Sequence, residues 1–286
     1  MPTNLIRTAL TLVTAGVLLA GCAPSVAGPT PEPLPPRSPS PTAKPTIAPD
    51  VFTIVVIGDT LASEPPVNCD DCTSFVGQVA TTLKGQLGEK VDVFDHTIEG
   101  GGLTEVSLAL GRDEDDIEKH LADADIVIVS IGFENGPPWE GEACPNPLGS
   151  TPTQRVAAIR SYDDACVLAT INIFGERYSD TFDTITELSP DASSRLALTT
   201  YNNWFGNPRY ADLDATVTAR LGSIYDEWNK QQCAAAVSVG FECIDVYHAM
   251  NGANGRGAPG ALVSEDFVHF SQKGHDAIAA LITRAV

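Results

Sequence analysis

Five positions in this chain carry the residue types that nucleophilic acyl transfer requires. Thr60 places a hydroxyl at the end of an apolar run, in Gly58-Asp59-Thr60. Asp266 and His269 stand three residues apart near the C-terminus, in Asp266-Phe267-Val268-His269. Gly100 opens a Gly100-Gly101-Gly102 turn, and Asn135 closes Gly132-Phe133-Glu134-Asn135. Cleavage of an ester by this chemistry takes a hydroxyl nucleophile, a histidine to accept its proton, a carboxylate to orient that histidine, and donors for the developing oxyanion. A spacing of three lets a carboxylate within one turn reach the far nitrogen of the imidazole. No metal or organic cofactor is needed for such a reaction.

These positions converge only if the intervening elements carry them to one edge. Val51–Ile57 is a β-branched run that stops at a glycine, the pattern of a buried strand. Further strands are expected at Val91–Phe94, Asp125–Ile131, Arg195–Tyr201 and Phe241–Tyr247. Between them, helical spacing predicts helices over Phe75–Leu87, Leu103–Leu121 with an interruption at Gly111, Gln154–Leu188, Leu213–Val237 and Gln272–Arg284. Strand–helix alternation implies a three-layer α/β/α domain around a central, mostly parallel five-stranded sheet of flavodoxin-like type. Its loops collect at the carboxyl ends of the strands. Thr60, Gly100 and Asn135 each follow a predicted strand, so they fall on that edge.

In order and spacing, the block Val51–Val286 resembles the SGNH/GDSL hydrolases, an esterase and lipase family, and in particular their exported bacterial members. The most specific match is Asp266-x-x-His269 followed by Gly274. The resemblance implies that His269 is the general base and Asp266 its partner. It implies too that Gly100, with Gly101 as the fallback, offers an oxyanion amide, and that Asp59 braces the nucleophile turn. Two positions depart from the family pattern. Thr60 stands where the family has serine, and its β-methyl restricts χ1 and crowds the attack. In the third block the ungapped match to the oxyanion asparagine is Glu134, whereas a slip of one residue puts Asn135 there. Ser63 lies three residues past Thr60 and is expected to be a poor substitute. The expected reaction is therefore hydrolysis of an O-acetyl, acyl or lipid ester by a Thr60/His269/Asp266 triad, with Gly100 and Asn135 as donors. The alternative is an impaired member of the fold acting as a binding module.

The N-terminal 50 residues read differently. Arg7 and the apolar run Thr8–Ala20, too short for a confident span, end in Leu19-Ala20-Gly21-Cys22. This resembles a bacterial lipobox, which implies cleavage after residue 21 and acylation of Cys22. Ten of the chain's 21 prolines then lie between Cys22 and Asp50, the composition of an extended tether over residues 22–50. The folded domain is expected over 51–286, on the outer face of a membrane and anchored through Cys22, as a monomer.

Charge and cysteines bound the rest. The net charge is −20, and residues 51–286 hold 35 acids against 14 bases. Such a surface repels phosphate backbones, which excludes nucleic acid as a partner and leaves a small-molecule, glycan or lipid ester. Six cysteines besides Cys22 in an exported domain read as disulfides, with sequential pairing 69–72, 144–166 and 233–243 expected. His96, His120, His248 and His275 lack a carboxylate at useful spacing and are expected to be structural. Asp113–Asp116 reads as a solvated helix start, and the glycines at 252, 255, 257 and 260 as a loop. Trp139 and the pair Trp204-Phe205 fit a substrate cleft and core packing equally well.

Overall fold

The computed structural model describes residues 51–137, 143–144, 151–210 and 213–286. Cys22, the tether and Trp139 lie outside the described residues.

Five strands, β1 (Val51–Asp59), β2 (Lys90–Ile98), β3 (Ile126–Ser130), β4 (Ser194–Leu198) and β5 (Glu242–Ile244), form one sheet in the order β2-β1-β3-β4-β5. Every adjacent pair is parallel. Helices α1 (Phe75–Leu87), α2 (Leu103–Arg112), α3 (Ile117–Ala122), α4 (Pro152–Ser161), α5 (Asp164–Leu188), α6 (Ala215–Ser238), α7 (Val246–Asn251) and α8 (Gln272–Ala285) complete the chain. Residues Ile54 to Ile57 are all fully buried, because both faces of the sheet are covered. Alternation divides them. Ile54 and Val56 pack with Phe75 and Val79 of α1 and Ile278 and Ile282 of α8. Val55 and Ile57 face the opposite core, built on Leu103, Phe182, Leu221 and Trp228 from α2, α5 and α6. The result is the α/β/α sandwich that the sequence predicts.

Strand order places the chemistry. From β1 the chain steps to β2 on one side, and the later strands build outward on the other. The order therefore reverses at β1 and β3, which leaves a crevice beyond their carboxyl ends. Thr60 and Gly132–Asn135 leave the sheet at that crevice. Gly58 permits this approach, since a Cβ there would lie 2.0 Å from the Ser130 carbonyl oxygen of β3.

Some boundaries differ from those expected, each for a local reason. The break in Leu103–Leu121 falls at Asp113 and not at Gly111. Asp113, Asp115 and Asp116 all adopt left-handed φ of 51°, 54° and 59°, so the acidic run separates two helices. Gln154–Leu188 also divides in two, because the Asp163 side chain accepts from the Cys166 amide and caps a new helix, α5. The expected fifth strand gives way after Ile244, where Asp245 caps α7 in the same manner, through the His248 amide. β4 ends at Leu198, and Thr199–Tyr201 run on beyond the sheet. All three expected disulfides are formed.

Candidate active site

The nucleophile position is built by β1. Asp59 caps the single 3₁₀ turn Thr60–Ala62, its Oδ1 accepting from the Leu61 amide at 3.1 Å. Its Oδ2 accepts from the Phe133 amide at 3.1 Å, so one side chain ties the exits of β1 and β3 together. Asp59 is 1% exposed, and burial pushes its carboxyl up to about 7 against the pull of those amides. Thr60 follows, 7% exposed, with Oγ1 accepting from the Gly100 amide at 2.8 Å. The Ser63 hydroxyl donates to the Thr60 carbonyl at 2.8 Å and is thereby turned back onto the loop.

The second and third strand exits meet beside Thr60. Gly100 has φ +65°, a conformation that turns its amide toward Thr60 at little cost only without a Cβ. Asn135 Oδ1 accepts from the Leu103 amide at 2.7 Å, at the start of α2. Its carboxamide thus sits over the Gly100–Gly102 turn. Glu134 is exposed and makes no such reach. Of the two registers open in the sequence, the structure sets Asn135 against the Gly100–Gly102 turn.

The last piece is the segment before α8. His269 Nδ1 lies 2.6 Å from Asp266 Oδ2. Asp266 Oδ1 accepts from the Val268 amide at 2.9 Å, the His269 amide at 3.0 Å and the Ser264 hydroxyl at 3.1 Å. Partial burial would raise the Asp266 carboxyl, but the hydrogen bonds from His269 and these amides outweigh it and hold it at about 2. The carboxylate is therefore ionised at any physiological pH and fixes the Nδ1–H tautomer, which leaves Nε2 as the basic nitrogen. Phe267 adopts φ 61°, a left-handed turn that folds the segment back on itself. The Tyr201 hydroxyl donates to the Val268 carbonyl, and its ring lies between Phe133 and Phe270 at centroid distances of 5.4 Å from each. Tyr201 thus couples the β3 exit to the dyad segment, a role that its strand-end position foreshadows.

Other residues resolve as well. Contrary to expectation, His248 does have a carboxylate partner: Asp245 Oδ2 lies 2.8 Å from its Nδ1. The spacing of three that marks Asp266/His269 recurs there, because a helix-capping aspartate naturally meets the side chain three residues on. That second pair lines a cavity of about 480 Å³. The wall hydroxyls of this cavity are already engaged, Thr199 with the Tyr247 amide and Tyr247 with Asp226 and the Gly255 carbonyl. His96 Nε2 and His120 Nδ1 meet at 2.9 Å, with His120 stacked on Phe94. His275 is 2% exposed and is depressed by burial to about 4. Trp204 and Phe205 are buried in the core, which removes them from the substrate cleft. Among the described residues, no group of three or more His, Cys, Asp or Glu is placed to hold a metal ion, and no helix is long and apolar enough to cross a membrane.

No protein-family model matches the sequence, and no curated protein does. Solved structures do resemble the fold. The lipase Lip_vut3 from a goat rumen metagenome superposes with a TM-score of 0.57 at 16% identity, over 82% of this chain and 97% of the lipase. A GDSL-like lipase from Parabacteroides merdae gives 0.55 at 15% identity, over 82% and 94%. The extracellular lipase of Streptomyces rimosus gives 0.55 at 17% identity, over 82% and 98%. Identities this low speak to architecture alone, and the architecture that this chain shares with these lipases is the three-layer α/β/α fold.

Proposed function

We propose that the protein is an ester hydrolase that works through an acyl-threonine intermediate. The observation that carries this reading is the Asp266–His269 pair at 2.6 Å, its carboxylate held by three further donors; the Thr60 hydroxyl, which accepts from the Gly100 amide, supports it. In this mechanism His269 Nε2 takes the Thr60 proton as Oγ1 attacks the ester carbonyl carbon. Asp266 stabilises the imidazolium. The imidazolium then protonates the departing alkoxide, and water hydrolyses the acyl-threonine with His269 again as base. The Gly100 amide and the Asn135 carboxamide stabilise the oxyanion, and loss of one such donor costs about 3 kcal/mol. The substrate is a small carboxylic ester, such as an O-acetyl sugar, or an acyl or lipid ester.

One observation favours a second reading, an impaired fold that binds its ligand without turnover. The hydrogen bond of Thr60 Oγ1 is with Gly100, and among the described contacts none joins it to His269. A displacement of about 1 Å from attack geometry costs roughly 100-fold in rate. Assays on short p-nitrophenyl esters separate the two. We expect slow wild-type hydrolysis, faster hydrolysis in Thr60→Ser, and loss in Thr60→Ala and His269→Ala. Undiminished activity in Thr60→Ala would sink the nucleophile assignment, and an inert Thr60→Ser would favour the binding module.

The reading extends to place. The Leu19-Ala20-Gly21-Cys22 sequence and the proline-rich stretch after it support a lipid-anchored protein on the outer face of a membrane. Palmitate fed to the producing cells is expected to label wild type and to leave Cys22→Ala unlabelled. Label retained in that variant refutes the anchor.

A further inference from the structure

The segment between Ser63 and Ser74 enters the sequence argument only through its disulfide, yet it places a side chain on the dyad. Asn68 Nδ2 lies 3.3 Å from Asp266 Oδ2 and 3.0 Å from His269 Nδ1. The orientation of this carboxamide follows from chemistry, since its NH₂ can face a carboxylate oxygen and its carbonyl cannot. With the Nδ1 proton directed to Asp266 at 2.6 Å, the same NH₂ is a second donor to Oδ2. Its approach to Nδ1 is then a contact between two hydrogen-bearing nitrogens that share one acceptor.

The segment holds Asn68 there by several means. Asn68 has φ 57°, a left-handed conformation that asparagine tolerates better than most residues. The next residue, Cys69, is bridged to Cys72, and the Cys72 amide donates to the Cys69 carbonyl at 2.9 Å. Thr73 is clasped by Gln272 of α8, its amide donating to Oε1 at 2.8 Å and its carbonyl accepting from Nε2 at 3.3 Å. The Phe75 amide donates to His275 Nδ1, also on α8, at 3.3 Å. Both the segment and the dyad are thereby referenced to one helix, although 198 residues separate Asn68 from Asp266.

We propose that Asn68 is a positioning residue for the Asp266–His269 dyad: it donates to Asp266 Oδ2 alongside the imidazole, and so limits the carboxylate's pull on the imidazolium and fixes the ring for Nε2 to work. The role as part of an active site rests on the hydrolase reading above, while the contact itself does not. Asp266 Oδ1 is saturated by three donors, so Oδ2 is where the balance is set. Competition there matters because the base must give up the proton it has taken within each half of the reaction, first to the departing alkoxide and then to Thr60 Oγ1. The charged groups on the surrounding elements are Glu64, Asp70 and Asp71 on the Asn68 segment, Glu265 beside Asp266, Glu134 at the β3 exit, and Lys273 and Asp276 on α8. Glu64 is engaged with the Ser74 hydroxyl and Asp276 with Gln272, and among the described contacts Asp266 is the carboxylate that touches the imidazole.

The test is a pH titration of the histidine side chains by NMR in the full chain, with His269 assigned from His269→Gln. Removing a donor from Oδ2 in Asn68→Ala is expected to raise the His269 midpoint by about half a unit. Asn68→Asp sets a second anion within reach of Nδ1 and is expected to raise it by about one unit or more. Buried His275 reports in the same spectra that the fold is intact, and its midpoint should not move. Midpoints for His269 within about 0.2 units of wild type in both variants overturn the proposal, as does an Asn68→Asp shift no larger than that of Asn68→Ala. No substrate enters this experiment. A protein that shows both shifts but cleaves no ester keeps Asn68 on the dyad and loses only the proposed reaction.

Discussion

Asp59 shows how one residue can be indispensable to geometry and costly to stability. It is buried, it ties Leu61 and Phe133 to one carboxyl, and burial moves that carboxyl from 3.8 to about 7. For an acid whose folded value is raised, the sign runs against the usual ion-pair case. Below pH 3.8 both folded and unfolded chains hold the proton and nothing is lost. As pH rises from there to about 7 the unfolded chain releases the proton first, so stability falls, by up to about 4 kcal/mol in all, and then levels off. Asp59→Asn cannot titrate. Its stability relative to wild type, from urea unfolding, is expected to climb between pH 4 and pH 7 and to be flat above, beneath a constant loss because the carboxamide has one acceptor oxygen and its NH₂ cannot accept from the second amide. A difference that does not change with pH would mean that the carboxylate is not desolvated in the folded state. The same residue is legible in sequence as part of Gly58-Asp59-Thr60, but its link to Phe133 is not, because that bond depends on β1 and β3 lying side by side.

Elements explain why some of the site could be read from sequence and some could not. β1 and β3 are β-branched runs closed by glycine, and a run of that kind buried on both faces leaves few alternatives, so the exits carrying Thr60 and Asn135 are visible in the residues themselves. The Asp266-x-x-His269 pair is local, and a local pair needs no knowledge of the fold. The choice between Glu134 and Asn135 is different. It depends on how the backbone turns after Gly132, where φ is +133° and a Cβ would meet the Tyr178 and Thr200 hydroxyls. Asn68 was beyond reach for the same kind of reason, since its partners stand 198 and 201 residues away. His248 is the opposite case: Asp245-x-x-His248 repeats the spacing of Asp266-x-x-His269 within the sequence itself, so the expectation that His248 lacks a carboxylate fails on a local pattern that needs no knowledge of the fold. The observed boundaries differ from the expected ones where an aspartate stops or starts a helix, at Asp113, Asp163 and Asp245. Their side chains compete for backbone donors, and hydrophobic periodicity does not register that competition.

At the scale of the whole molecule the net charge is the dominant feature, and it bears on stability more than on chemistry. Residues 51–286 carry 35 acids and 14 bases. Lys90, Arg112, Lys119, Arg160, Arg220, Lys230 and Arg256 form ion pairs with carboxylates, most of them solvent-exposed. Exposed pairs of this kind contribute about 0–1 kcal/mol each and are weakened by salt. The surplus of acids acts in the opposite sense: like charges spread over one compact domain repel, and folding brings them closer than the unfolded chain does. Salt screens that repulsion over a Debye length of about 10 Å at 0.1 M, a range that reaches many neighbouring acids on this surface. With 21 more acids than bases, relief of repulsion outweighs the loss of pairs. The urea midpoint at neutral pH is therefore expected to rise between about 10 mM and about 200 mM sodium chloride, with the slope of the transition unchanged. A midpoint that falls over that range would show that the ion pairs hold the domain together more than its charge drives it apart.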